Sequence, residues 1–284
     1  MSALEIQYEK KPLVREWKAR LGLVFAYKNG RTVLKSREHY GPLVVQRAFY
    51  PEGAVCHIYL IHPPGGVVGG DKLSIEAELQ AGSHTVMTTP SAGKFYRSGE
   101  LKGTQTQTLT VAEDSLLEWL PQENIFFDGC HSEIETNIRL AGDAKFFGWE
   151  INCLGRPAAN EKFTQGTITQ RISMYRDSRP IFLERNALHG SNEILYAEAG
   201  LKSRLVFATL LATHIDKDIS EKLQEKWHQR IEKDISITLI NDVLICRYLG
   251  DSADFVKRAF IEIWAEVRMK QKALTICKPR IWST

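Results

Sequence analysis

Leu73-Ser74-Ile75-Glu76-Ala77-Glu78-Leu79-Gln80-Ala81-Gly82-Ser83 sets the architecture. Apolar residues at 73, 75, 77 and 79 alternate with polar ones, the two-residue period of a half-buried strand. Ala81-Gly82-Ser83 is turn chemistry. A second strand follows and Pro90 breaks it. The same order recurs as Thr104–Val111, Ala112-Glu113-Asp114, Ser115–Leu120 and Pro121. It recurs again as Glu133–Leu140, Ala141-Gly142-Asp143, Ala144–Asn152 and Pro157, with Ile134, Thr136, Ile138 and Leu140 alternating against Glu135, Asn137 and Arg139. The turn alanines 81, 112 and 141 are 31 and 29 residues apart. That period predicts stacked β units, either a solenoid or layered hairpins. Stacking would place the loops after each proline on one face, carrying Lys94-Phe95-Tyr96-Arg97, Glu123–Asp128 and Arg156.

Outward from this repeat, Leu21–Lys28, Arg31–Ser36, Leu43–Phe49 and His57–His62 also read as strands. After about residue 213 the period changes. Ile219, Leu223, Trp227 and Ile231 recur every four residues and predict a helix over 216–233. Phe255, Ala259, Ile263 and Val267 predict a second over 252–271, capped by Asp251 or Ser252. Strands at Ile235–Ile240 and Val243–Leu249 lie between them, joined by a tight Asn241-Asp242 turn. The expected fold is mainly β with α, a layered or solenoid-like body of many short strands with two C-terminal-region helices packed on it. Residues 1–284 are read as one domain, with a β-rich body over 20–213 and an α/β part over 214–284.

The 284 residues carry 37 Lys and Arg against 34 Asp and Glu, a net charge of +3 with the cations scattered, which argues against a nucleic-acid partner. No apolar run approaches the roughly 18 residues of a membrane span, and Met1–Lys11 lacks the apolar core of a signal peptide. Cys56, Cys130, Cys153, Cys246 and Cys277 form an odd, irregularly spaced set without C-x-x-C, read as reduced thiols of a cytoplasmic protein.

Two stretches resist assignment as ordinary strand or helix. His62-Pro63-Pro64-Gly65-Gly66-Val67-Val68-Gly69-Gly70-Asp71 joins two prolines to four glycines and ends in a charge. Thr89-Pro90-Ser91-Ala92-Gly93-Lys94-Phe95-Tyr96-Arg97-Ser98 crowds two cations and two aromatics together. The first is either a crossover loop with close backbone packing or a contact surface. It matches neither G-x-x-x-x-G-K-[ST] nor a helix-opening G-x-G-x-x-G. Asp71 reads as a turn-stabilising carboxylate or as a cation ligand. Lys94, Tyr96 and Arg97 suit an anion or a protein interface, or a solvated pair with aromatic packing. His62, Cys130 and His131 are metal-ligand candidates by type, yet no H-E-x-x-H or H-x-H occurs. Ser91 and Ser98 flank the basic loop without a local histidine base, and no G-x-S-x-G is present. Glu184 beside Arg185 reads first as an ion pair and second as a buried carboxylate of shifted pKa. Three functional classes stay open on residues alone: a scaffold, a hydrolase using Asp71 with His62, and a small-ligand module with a closed apolar cavity.

In order and spacing the chain resembles the UreD/UreH family of urease accessory proteins. The likeness rests on His62–Asp71, Thr88-Thr89-Pro90, Lys94–Ser98, Leu120-Pro121-Gln122-Glu123, Gly148-Trp149-Glu150 and Gly155-Arg156, and covers roughly residues 20 to 200. The chain departs from the pattern at Ser91-Ala92-Gly93, where a threonine is expected just before the lysine, and at Gln122. The resemblance implies a non-enzymatic assembly factor that binds apo-urease and recruits a helical UreF-like partner and a UreG-like GTPase. GTP hydrolysis then belongs to the partner. It also implies an internal passage for nickel, held transiently with no tightly bound cofactor, and Asp71 and Glu184 are the carboxylates expected beside it. His62, Pro63, Pro64, Gly65, Gly66, Gly69, Gly70, Asp71, Lys94, Tyr96 and Arg97 are the expected partner or path contacts.

Overall fold

The computed structural model describes residues 17–156, 159, 161–230 and 234–283. Strands β1 (Lys18–Lys28), β2 (Arg31–Tyr40), β3 (Val44–Val45) and β4 (Cys56–Ile61) lead into the repeat. The first coil is β5 (Lys72–Leu79), β6 (His84–Thr88) and β7 (Gly93–Phe95). The second is β8 (Gly103–Val111), β9 (Leu116–Leu120) and β10 (Asn124–Phe126), and the third is β11 (His131–Leu140) and β12 (Lys145–Leu154). Strands within a unit do not pair with each other. Each pairs in parallel with its counterpart in the next unit: β5 with β8 and β8 with β11, β6 with β9 and β9 with β12, β7 with β10. The repeat is therefore a solenoid, and the layered-hairpin alternative is discarded.

Register explains the stacking. Ala77, Leu109, Ile138 and the next strand's Met174 occupy one rung, each at most 3% exposed. The turns stack as well, since Ala112 N–H donates to Leu79 O at 2.9 Å and Ala141 N–H to Val111 O at 3.0 Å. Each turn needs one left-handed residue. Gly82 and Gly142 supply it in two turns; where Glu113 takes the second place, Asp114 adopts φ 55° instead.

β13 (Thr167–Arg176) continues the parallel ladder on β11, and β14 (Arg179–His189) turns back antiparallel on β13. β15 (Val206–Ala212) adds antiparallel to β12. After helix α1 (Lys217–His228), β16 (Ile235–Ile240) and β17 (Val243–Gly250) extend the same sheet, and helix α2 (Ala253–Lys272) follows. Two sheets result, ordered β14-β13-β11-β8-β5-β1-β2 and β16-β17-β15-β12-β9-β6-β4-β3. Between them lies one apolar core; a second lies between the larger sheet and the helices. Val256, Phe260, Ile263, Trp264 and Val267 form the buried stripe of α2, each about 1.5–3 kcal/mol of transfer free energy.

Two expectations need adjusting and the choice of α2 cap is settled; the second stretch set apart as irregular contains strand β7 at Gly93–Phe95. Leu43–Phe49 gives only a two-residue strand, although Phe49 bridges to His57 and keeps the segment beside β4. Ser252 caps α2, accepting from Phe255 N–H at 3.1 Å, because Asp251 is held instead by Arg204. Residues 231–233 of the first expected helix, and Met1–Lys11, lie outside the described residues.

Candidate functional site: the glycine loop and an interior polar line

The glycine loop and the basic turn fold against each other. Val67 N–H donates to Lys94 O at 2.7 Å and Tyr96 N–H to Val67 O at 2.9 Å. A Cβ on Gly66 would stand 2.2 Å from the Tyr96 ring, and one on Gly69 2.6 Å from Leu101 O, so close approach fixes both residues as glycine. Gly65 and Gly70 serve the other need, at φ 79° and 94°. Pro63 and Pro64 are exposed at the tip of the turn closed by Gly65 N–H to His62 O. Asp71, 5% exposed, accepts from Val68 N–H at 3.0 Å, and so stabilises the turn.

The segments after Pro90 and Pro121 share a face with Arg156, while Pro157 lies outside the described residues. Asn124 pairs with Gly93 across the β7–β10 ladder. The Tyr96 and Phe127 rings meet at 4.7 Å, Arg97 reaches Asp128 at 3.2 Å, and Arg156 lies 4.8 Å over Phe127. Lys94 is half-buried and Arg97 exposed.

Beneath this face a cavity of about 110 Å³ opens between the sheets, with His62, Gly66, Lys94, Gln107, Trp119 and Glu150 among its walls. Burial pushes the His62 imidazole below the usual histidine range, and the nearby Asp71 charge partly opposes this. Trp119 and Glu150 also border a narrow gap of about 10 Å³, shared with Thr136 and Thr209. Thr209 in turn borders a surface pocket holding Glu184, Asn186 and Arg247.

Hydrogen bonds run the same way. Gln107 Nε2 donates to Thr136 Oγ1 at 3.2 Å, and Thr136 Oγ1 donates to Glu150. Gln170 Nε2 donates to the other Glu150 oxygen, and Asn186 Nδ2 to Gln170 Oε1 at 2.9 Å. Asn186 Nδ2 and Thr209 Oγ1 both donate to Glu184 Oε1, at 3.3 and 3.1 Å, and Arg247 pairs with Glu184 from β17. Burial raises the Glu150 pKa, the Thr136 and Gln170 hydrogen bonds oppose that, and the Glu184 charge adds to it.

Glu184 thus pairs with Arg247, not Arg185, because neighbouring residues of a strand point to opposite faces. Asp71 and Glu184 do not form one ligand set. Asp71 precedes β5 and Glu184 is on β14, four strand spacings apart, about 19 Å. Cys130 is buried, its thiol pushed up to about 12 by burial, and adjacent His131 bonds Thr167 at 2.9 Å. Ser98 accepts from His131 N–H at 3.0 Å, a structural contact.

Sequence reasoning missed Gln107, Thr136, Glu150, Gln170, Asn186 and Thr209. A signal existed in part: Thr136 interrupts the apolar phase Ile134, Ile138, Leu140. A polar residue in an inward-facing phase marks a polar interior.

A family described as UreD urease accessory protein matches residues 18–283. The urease accessory protein UreD of Dechloromonas aromatica is 42% identical over 273 residues, covering 94% of this chain and 95% of that protein. The same-named proteins of Azoarcus sp. and Escherichia coli are 41% and 39% identical, covering 94% of this chain and 94% and 97% of their own lengths. From the glycine loop through the solenoid to the C-terminal helix, the chain belongs to the UreD family of urease accessory proteins.

Proposed function

We propose that this chain serves urease maturation as a non-catalytic scaffold, binding apo-urease together with UreF-like and UreG-like helpers, and that nickel passes through its interior. The interior polar line carries this reading. It runs from His62 beneath the loop face, past Gln107 and Glu150, to Glu184 and Arg247 at the far surface. Among the described residues Gln107 Oε1 and Trp119 Nε1 are buried on it without a partner: the Gln107 oxygen suits a passing ion or its water, and the Trp119 N–H suits water. Oxygen and imidazole donors that never converge into a closed cage hold a divalent ion weakly, and a conveyed ion must be released.

The alternatives fit less well. The cavity between the sheets, about 110 Å³, is small beside the roughly 300–1,000 Å³ of small-molecule sites, and the hollows of about 480–660 Å³ lie open at the surface instead of enclosed. A hydrolase using Asp71 would need its carboxylate for the reaction, yet that group holds the loop turn.

Two measurements test the proposal. Asp71→Asn and Glu184→Gln variants, each co-produced with urease and its helpers, should yield urease of reduced nickel content; full loading in both variants overturns the passage. Alanine at Lys94, Tyr96 and Arg97 should weaken co-purification of protein partners. Unchanged capture would remove the loop face from the interface.

A further inference from the structure

Glu52, His57 and Cys277 lie apart from both the loop face and the interior line. Glu52 is in the turn before β4, His57 is the second residue of β4, and Cys277 follows α2. A carboxylate oxygen, an imidazole nitrogen and the Cys277 sulfur all lie within 4.8 Å of one another. Cys56, Ile58 and Leu60 fill the core between the sheets, so alternation along β4 turns His57 the other way, toward α2.

His57 is fully buried. Its Nε2 is 2.6 Å from Glu52 Oε1, while Nδ1 has no hydrogen-bond partner among the described residues. A buried ring nitrogen is seldom left so. A cation shared by Nε2 and Glu52 would move the ring proton to Nδ1, which is free to carry it.

The charge balance points the same way. Arg268, wholly buried, contacts Glu52 Oε1 at 2.8 Å and Glu118 Oε1 at 3.1 Å. With the His84 and His57 rings neutral, these two carboxylates face one guanidinium and the surplus is negative. A divalent ion bound by a Cys277 thiolate would leave carboxylates, thiolate, guanidinium and metal electrically neutral together.

We propose that Glu52, His57 and Cys277 bind a borderline divalent cation of the Zn²⁺ or Ni²⁺ class. Mixed nitrogen, sulfur and oxygen donors select such ions over Mg²⁺ or Ca²⁺. Three protein ligands leave a fourth position for water. Cys277 gives its proton to solvent on binding, so affinity falls as pH drops. The ion would clamp the C-terminal segment to the body. That segment ends near Trp282, whose Nε1 donates to Thr88 Oγ1 at 2.9 Å and whose ring packs by Trp149 and Trp264. The inference stands independently of the nickel passage.

Co²⁺ is the probe for the metal-stripped full-length chain. It should bind with a thiolate-to-metal charge-transfer band that Zn²⁺ displaces and that Cys277→Ser abolishes. Glu184→Gln should keep the band, which separates this site from the oxygen donors of the passage. In the wild-type chain, one equivalent of Zn²⁺ should slow alkylation of Cys277 by about tenfold or more. Absence of the band, its persistence in Cys277→Ser, or an unchanged alkylation rate would overturn the assignment.

Discussion

Replacing Arg268 by Met tests what fastens α2 to the solenoid. The guanidinium is 0% exposed; it lies against Glu52 and Glu118 and donates to Thr275 O at 2.8 Å. Methionine fills much of the volume but leaves two carboxylates behind. Glu118, 1% exposed, keeps only His84 and the Trp264 indole, and Glu52 keeps His57. Removing one partner of a buried ion pair costs about 3–5 kcal/mol. At about 2–4 °C per kcal/mol, the melting temperature should fall by roughly 6–20 °C. The pH dependence has a definite sign. Burial pushes both carboxyls up, but His84 and Arg268 at Glu118, and His57 and Arg268 at Glu52, outweigh it and hold both below the usual 4.5. A carboxyl whose folded pKa is lowered stabilises above its unfolded value and loses that contribution as pH falls through the folded one. The gap between wild type and Arg268→Met should therefore be widest near neutrality and shrink below about pH 4.5. Adding Glu118→Leu should cost less than the sum of the single losses, since both charges then leave together. Thermal unfolding followed by circular dichroism reads all three variants. A melting temperature within about 2 °C of wild type at pH 7 would refute the reasoning.

Gly66→Ala would drive its Cβ into the Tyr96 ring and toward Lys94 O, costing about 1–3 kcal/mol in urea unfolding. Tyr96→Ala in that background should recover part of the loss, and no recovery would refute the steric account. Glu150 has a raised folded pKa, so wild type should lose stability relative to Glu150→Gln as pH climbs from about 4.5 toward that folded value; parallel stability–pH curves would contradict this. Ser252→Ala should cost about 1 kcal/mol by removing the α2 cap, whereas Asp251→Ala should leave that cap intact.

The solenoid was legible because its turns repeat: Ala81-Gly82, Ala112-Glu113 and Ala141-Gly142 mark each coil at nearly constant period. Strand direction was not. Ala-Gly-Ser and Ala-Gly-Asp serve a hairpin as well as an arch between two sheets, and only the pairing of Ala77 with Leu109 and Leu109 with Ile138 decides. The loop face was legible in its parts, since Gly66 and Tyr96 announce special geometry. Their contact is tertiary and left no local trace. Glu150 was quoted for resemblance alone. It sits in a strand whose residues from Phe146 onward are all buried, where alternation cannot tell inward from outward. Glu52, His57 and Cys277 were invisible as a group, because more than two hundred residues separate the first two from the third.

A parallel stack of coils offers the next chain a ready template at each end, and unguarded stacks polymerise into fibrils. Here the smaller sheet finishes at both margins with a strand running the opposite way, β2 at one and β14 at the other. Lys35, Arg37 and Glu38 line the first margin, and Pro180 and Arg185 the second. Charge and a missing N–H discourage a neighbour from adding there, so reversal of direction closes a periodic sequence into a molecule of finite length.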